Sequence, residues 1–220
     1  GEALKAAHTG DMIEISTTDP AFASDVEGFC RRTGHIFGGM ESSKGISVAR
    51  ITKMDNQDTA ACQSGNGKNF IVFSGDLDKA IASFIMANAA AAMGRKVSIF
   101  FTFWGLNILR KQEKVPVKKD FMSRMFAAMM PRGSKKLGLS KMNMGGMGAK
   151  MIRTVMNNKH ISSLEDLIRT AQQNGVELIA CAMSMDVMGI AKEELIDGVT
   201  MSGAAAMLAF AEESDMSLFI

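Results

Sequence analysis

The side chains best suited to chemistry in this chain are three cysteines, Cys30, Cys62 and Cys181, set far apart among 220 residues. An odd number at wide, irregular spacing is neither a disulfide framework nor a metal-ligand pattern. It fits a reducing, cytoplasmic setting, and residues 1–11 lack the apolar block of a secretory signal. Cys181 has the most informative surroundings. Residues 176–180 read as a short buried strand, and 182–188 hold helix formers with no breaker before Gly189. A thiol at such a junction meets unpaired backbone N–H groups and the positive end of a helix dipole, and both favour the reactive thiolate. The same residue reads equally as a small core hydrophobe, since free cysteine is often buried. Cys62 lies in a polar stretch without an evident activating partner. Cys30 falls on the apolar face of a helix, where it packs. Histidine is scarce, at His8, His35 and His160 only. No Ser-His-Asp or Cys-His pairing shows in the sequence, and Ser74-Gly75-Asp76 lacks the glycine spacing of a dinucleotide site. Neither cofactor nor metal is expected.

The elements that must position Cys181 follow from the apolar pattern. Strands are expected at 69–75, 97–103, 176–180, 198–202 and 216–220. Helices are expected near 77–93, 162–174, 192–196 and 203–213. This order predicts an α/β fold: an open, mainly parallel five-stranded sheet with helices on both faces. The longest apolar segment, 80–93, is short for a membrane span and reads as a buried helix. Residues 57–68 are polar and read as a linker. Before them, 1–56 read as a small α+β unit of helix, strand, helix and a strand pair. Ligands approach an open parallel sheet at the carboxyl ends of its strands. Ser74-Gly75, Trp104, Cys181 and Ser202 fall at such ends. Trp104 either covers the thiol or anchors the segment after it. Met183 and Met185 are placed to line a soft, poorly hydrated mouth, with Ser202 beside it.

A long insertion, 105–160, separates the second and third strands. Lys and Arg recur from Arg110 to Lys150, with only Glu113 and Asp120 against them. Phe121, Met122, Met125, Phe126, Met129 and Met130 interleave with the charges. The chain as a whole holds 20 methionines and a formal charge of +2. Stacking aromatics are few and the total charge is near neutral, so no nucleic-acid partner is expected. Self-association into a homo-oligomer through the Met-rich surface is the expectation. Peripheral contact with a membrane surface, or with an anionic sulfur-bearing partner, is the alternative.

Two stretches carry resemblances. Gly10-Asp11, Thr18-Asp19-Pro20 and Phe29-Cys30-Arg31-Arg32-Thr33-Gly34-His35 resemble the second half of TusA-like (SirA-like) sulfur-carrier domains, without their Cys-Pro-x-Pro segment. Residues 100–110 (from Phe100 to Arg110), Ser140-Lys141-Met142-Asn143-Met144, Gly148-Ala149-Lys150-Met151 and 180–189 are similar to the DsrE/DsrF/DrsH-like family. That second match covers about 69–220. It implies a parallel-sheet α/β fold, a role in sulfur relay, and Cys181 as the position that carries persulfide sulfur. It also implies TusA-like and rhodanese-like proteins as donors and acceptors. The expected function is therefore a sulfur-transfer protein, a sulfurtransferase if it is an enzyme, with Cys181 as its reactive group. Trp104, Met183, Met185 and Ser202 are the expected substrate-side residues. A binding or assembly module working through the basic insertion competes with this reading. So does a thiol redox enzyme that pairs Cys181 with Cys62 or Cys30.

Overall fold

Apolar residues alternate along the first strands and turn one face of a small sheet inward. The computed structural model describes residues 4, 7–17, 22, 26–27, 29–30, 34–43, 46–54 and 66–220. Strands β1 (Met12–Thr17), β2 (Ile36–Ser43) and β3 (Ile46–Thr52) form an antiparallel sheet in the order β1-β3-β2. Ala49 and Ile51 of the central strand are buried against the helical residues Val26 and Cys30. Burial pushes the Cys30 thiol up, away from the reactive thiolate. Most of the expected linker, Cys62 included, lies outside the described residues, as does much of the helix expected before Gly34.

The remaining elements are β4 (Gly67–Val72), α1 (Leu77–Ala92), β5 (Lys96–Phe101), α2 (Phe121–Met129), α3 (Met147–Asn158), α4 (Leu164–Gln173), β6 (Glu177–Cys181), α5 (Ala182–Val187), β7 (Val199–Ser202), α6 (Ala204–Glu212) and β8 (Ser214–Phe219). The five strands form one sheet in the order β7-β6-β5-β4-β8, and every pairing is parallel. Strand alternation sends Phe70, Val72, Ile99, Phe101, Leu178 and Ala180 into the main core, with Phe84 and Ala87 of α1 and Ile168 of α4. The intervening positions Phe100, Ile179 and Cys181 form a second cluster, under Met207 and Phe210 of α6. Helices therefore cover both faces, as the sequence predicts.

β5 ends at Phe101, two residues short of its expected end. The chain then turns into a 3-10 helix, Phe103–Leu109, entered through Phe103 at a φ of 45°. Gly105 explains the tightness of this turn. Its N–H donates to the Phe73 carbonyl at 2.8 Å, and a Cβ there would stand 2.1 Å from the Val72 carbonyl oxygen. The close approach draws the ends of β4 and β5 together.

Helix caps follow sequence chemistry with one exception. Ser163 caps α4 by accepting from Asp166 N–H, and Asp120 caps α2 by accepting from Ser123 N–H. Asp76 precedes α1 but makes no side-chain cap. Its carboxylate accepts from Ser74 Oγ at 2.7 Å and pairs with Lys79 at 2.9 Å instead.

Candidate functional site

Cys181 is the last residue of β6 and the N-cap residue of α5, so the expected strand-to-helix junction is present. It is 4% exposed and lies among Phe100, Ile179, Met207 and Phe210. Ser202, also buried, is its register partner on β7. One turn past the thiol, Ser184 Oγ and Thr102 Oγ1 lie 2.7 Å apart in a hydroxyl pair. That pair ties α5 to the end of β5, and a buried hydroxyl without such a partner would be costly.

The two methionines expected at the mouth part company. Met183 is 54% exposed beside the junction, whereas Met185 is 4% exposed and packs in the main core. A helix places residues two apart on different faces, so α5 cannot present both to one opening. Trp104 is half exposed and lines a cleft of about 360 Å³ over the ends of β4 and β5. The cleft walls include Phe73, Ser74, Asp76, Lys79 and Asn107, and not Cys181. The structure thus brings Cys181, Ser202 and Met183 together at one end of the sheet. Trp104 belongs to the neighbouring cleft.

The basic insertion is less free than its composition implies. Glu194, 1% exposed, accepts from Arg110 at 3.3 Å, from Arg132 at 2.9 Å and from Lys119. The Ala191 N–H also donates to it, at 3.0 Å. Burial alone would raise the Glu194 pKa. The Lys119 hydrogen bond, the Ala191 amide and the positive charges of Lys119 and Arg110 outweigh burial and hold it at about 2. Lys119 also donates to the Gly189 carbonyl at 2.6 Å, and Lys111 N–H to that of Glu194 at 2.7 Å. Three cations of the basic run, Arg110, Lys119 and Arg132, therefore anchor the insertion to the segment after α5. Sequence reasoning missed Glu194 because it lies outside the insertion it neutralises. Ser184 was inside the noted 180–189 run, but nothing local marks its partner.

Among the described residues no three His, Cys, Asp or Glu side chains cluster to hold a metal ion. No described helix is long and apolar enough to cross a membrane. Cys30 and Cys181 are both free thiols.

Fold and site together define an α/β protein with a buried cysteine at the carboxyl edge of a parallel sheet. The chain belongs to the DsrE/DsrF/DrsH-like family, whose model matches residues 65–219. It is 54% identical over 150 residues to the uncharacterized protein YrkE of Bacillus subtilis, covering 68% of this chain and 94% of that protein. It is 41% identical over 157 residues to the sulfur carrier protein DsrE2 of Allochromatium vinosum, covering 68% of this chain and 95% of that one. Among solved structures, the YchN protein from E. coli aligns with a TM-score of 0.43 at 14% identity, covering 70% of this chain and 99% of its own.

Proposed function

We propose that the protein is a cytoplasmic sulfur carrier that takes a sulfane sulfur on Cys181 and passes it to an acceptor thiol. The observation that carries this reading is the position of Cys181. It is the free thiol at the carboxyl end of a strand, in a chain 41% identical to a sulfur carrier. In the loading step the Cys181 thiolate attacks the outer sulfur of a donor persulfide, R–S–S⁻. The donor S–S bond breaks, RS⁻ leaves, and Cys181–S–S⁻ forms. In the delivery step an acceptor thiolate attacks that terminal sulfur and Cys181 thiolate is regenerated. Each step exchanges one S–S bond for another and needs no cofactor.

The surroundings suit the loaded state. Phe100, Ile179 and α6 shield the thiol from water, which slows loss of the sulfur. The same burial means that a partner reaches the thiol only when Met207 or Phe210 of α6 swings aside, past the exposed thioether of Met183. TusA-like and rhodanese-like proteins are the partners the family suggests. We read residues 1–56 as a partial TusA-like unit and the rest as the DsrE-like domain, with the linker expected at 57–68 ending before Gly67, where β4 begins, rather than at 68. Cys30 is buried in the core of the small sheet, which disfavours it as a redox partner of Cys181.

Exposure to a low-molecular-weight persulfide, followed by intact-mass measurement, tests the proposal. A gain of about 32 Da, one sulfur atom, is expected on the native chain and on Cys30→Ser, and none on Cys181→Ser. Loading that survives Cys181→Ser would end the carrier reading at this residue.

A second reading rests on a different observation. No residue of α2 is buried, so Phe121, Met125, Phe126 and Met129 stand free on a basic segment. A second copy of the chain covering this face would make a homo-oligomer. A membrane surface or a partner protein would make the insertion a docking module.

A further inference from the structure

The cleft beside Trp104 is lined by one side-chain amide donor that has no partner. Asn107 is its deeply buried wall, 1% exposed. The Asn107 Oδ1 accepts from the Arg110 guanidinium at 3.3 Å. Its Nδ2 is the end left over, and it has no hydrogen-bond partner. Buried amide donors are paired in the great majority of cases, so an unpaired one lining a cleft points to an acceptor that comes from outside. The sixteen-residue helix α1 begins at the same cleft; its N-cap residue Asp76 makes no side-chain cap, and of the first-turn N–H groups that of Leu77 donates to the Gly138 carbonyl at 2.7 Å. The cleft also holds one fixed charge of each sign, Asp76 and Lys79, 2.9 Å apart. Two aromatic faces, Phe73 and Trp104, complete the wall.

We infer that this cleft binds the α-amino acid head group of a low-molecular-weight thiol or persulfide. A carboxylate fits Asn107 Nδ2, Lys79 Nζ and the positive end of α1 together. An α-ammonium fits Asp76, whose carboxylate then exchanges Lys79 for the ligand's cation. A net-neutral zwitterion matches a cleft of zero formal charge, which a simple anion or cation does not. The thioether or thiol arm lies against the Trp104 and Phe73 rings, where sulfur–aromatic contacts are favourable. The head-group recognition stands on the cleft alone, and the choice of a sulfur-bearing arm rests on the carrier reading of Cys181.

Trp104 is the only tryptophan and the chain has no tyrosine, so intrinsic fluorescence excited at the indole reports this cleft directly. The probe is S-methyl-L-cysteine, a thioether that cannot transfer sulfur. A saturable change in Trp104 emission is expected. 3-(Methylthio)propanoate, without the ammonium, and 2-(methylthio)ethylamine, without the carboxylate, are each expected to bind about tenfold or more weakly, the ratio one charge-assisted hydrogen bond is worth. Lys79 is exposed, so Lys79→Gln keeps the fold and is expected to weaken S-methyl-L-cysteine about tenfold as well. Absence of a saturable change, equal binding of either truncated analogue, or unchanged affinity in Lys79→Gln would each overturn the inference. Cys181→Ser is expected to bind the probe unchanged. Sulfur loading without probe binding sinks this inference alone, and probe binding without loading sinks the carrier reading alone.

Discussion

At the residue scale, Glu194 is a buried carboxylate shared by three cations, Arg110, Lys119 and Arg132, so its ionised form is strongly favoured in the folded chain. Its pKa of about 2 lies below the ordinary value of 4.5. A depressed carboxylate pKa stabilises the fold at every pH above the unfolded value, and that stability is lost as pH falls through the folded one. The contribution is about 3 kcal/mol, from the shift at about 1.4 kcal/mol per pKa unit, and it should disappear between pH 4.5 and about 2. Thermal denaturation across that window is expected to show the loss in the native chain. In Glu194→Gln the loss over this window should shrink, on a baseline about 3–5 kcal/mol lower at pH 7, because Arg110 is left buried without its counter-charge. A second residue-scale prediction concerns Gly105. Gly105→Ala sets a methyl against the Val72 carbonyl and should cost at least about 2 kcal/mol in chemical denaturation. Equal stability of the variant would mean that the β4–β5 junction is not tight.

Legibility at this scale divides along sequence distance. The strand-to-helix setting of Cys181 could be read because its strand, its helix and its family motif are contiguous. Glu194 could not, since its partners lie 62, 75 and 84 positions away and only folding puts them together. Asn107 sits inside the recognised 100–110 run, yet its unpaired amide is a property of packing and leaves no trace in residue type.

At the element scale, the strands and helices around Cys181 follow the apolar pattern closely, and the errors fall at ends. β5 stops early because a glycine lets the chain turn back onto β4. Asp76 fails to cap α1 because Ser74 and Lys79 compete for its carboxylate. Helix α2 forms within the insertion, but it buries none of its apolar side chains, so its own domain does not account for them. Replacing Phe126 and Met129 by Gln should therefore change monomer stability by no more than about 0.5 kcal/mol, as for surface sites. Under the self-association reading the same pair of changes should shift sedimentation toward monomer. Native and variant chains sedimenting alike as monomers would remove that reading.

At the scale of the whole molecule, the order of strands in the large sheet differs from their order in the chain. β8 pairs with β4, and the Lys68–Asp215 ion pair bridges the same two strands across 147 positions. The first strand of this sheet to leave a ribosome thus waits for the last. Until 214–219 arrive, β4 is an open edge, with unpaired N–H and C=O groups and Phe70 and Ile71 alongside, a template for pairing between nascent chains. Pairing strands so far apart in sequence adds a loop-closure entropy that is met only when β8 docks, and such long-range contacts slow folding. Folding of this sheet should accordingly be slow, and the interval before β8 docks is one in which the open edge of β4 is exposed to aggregation.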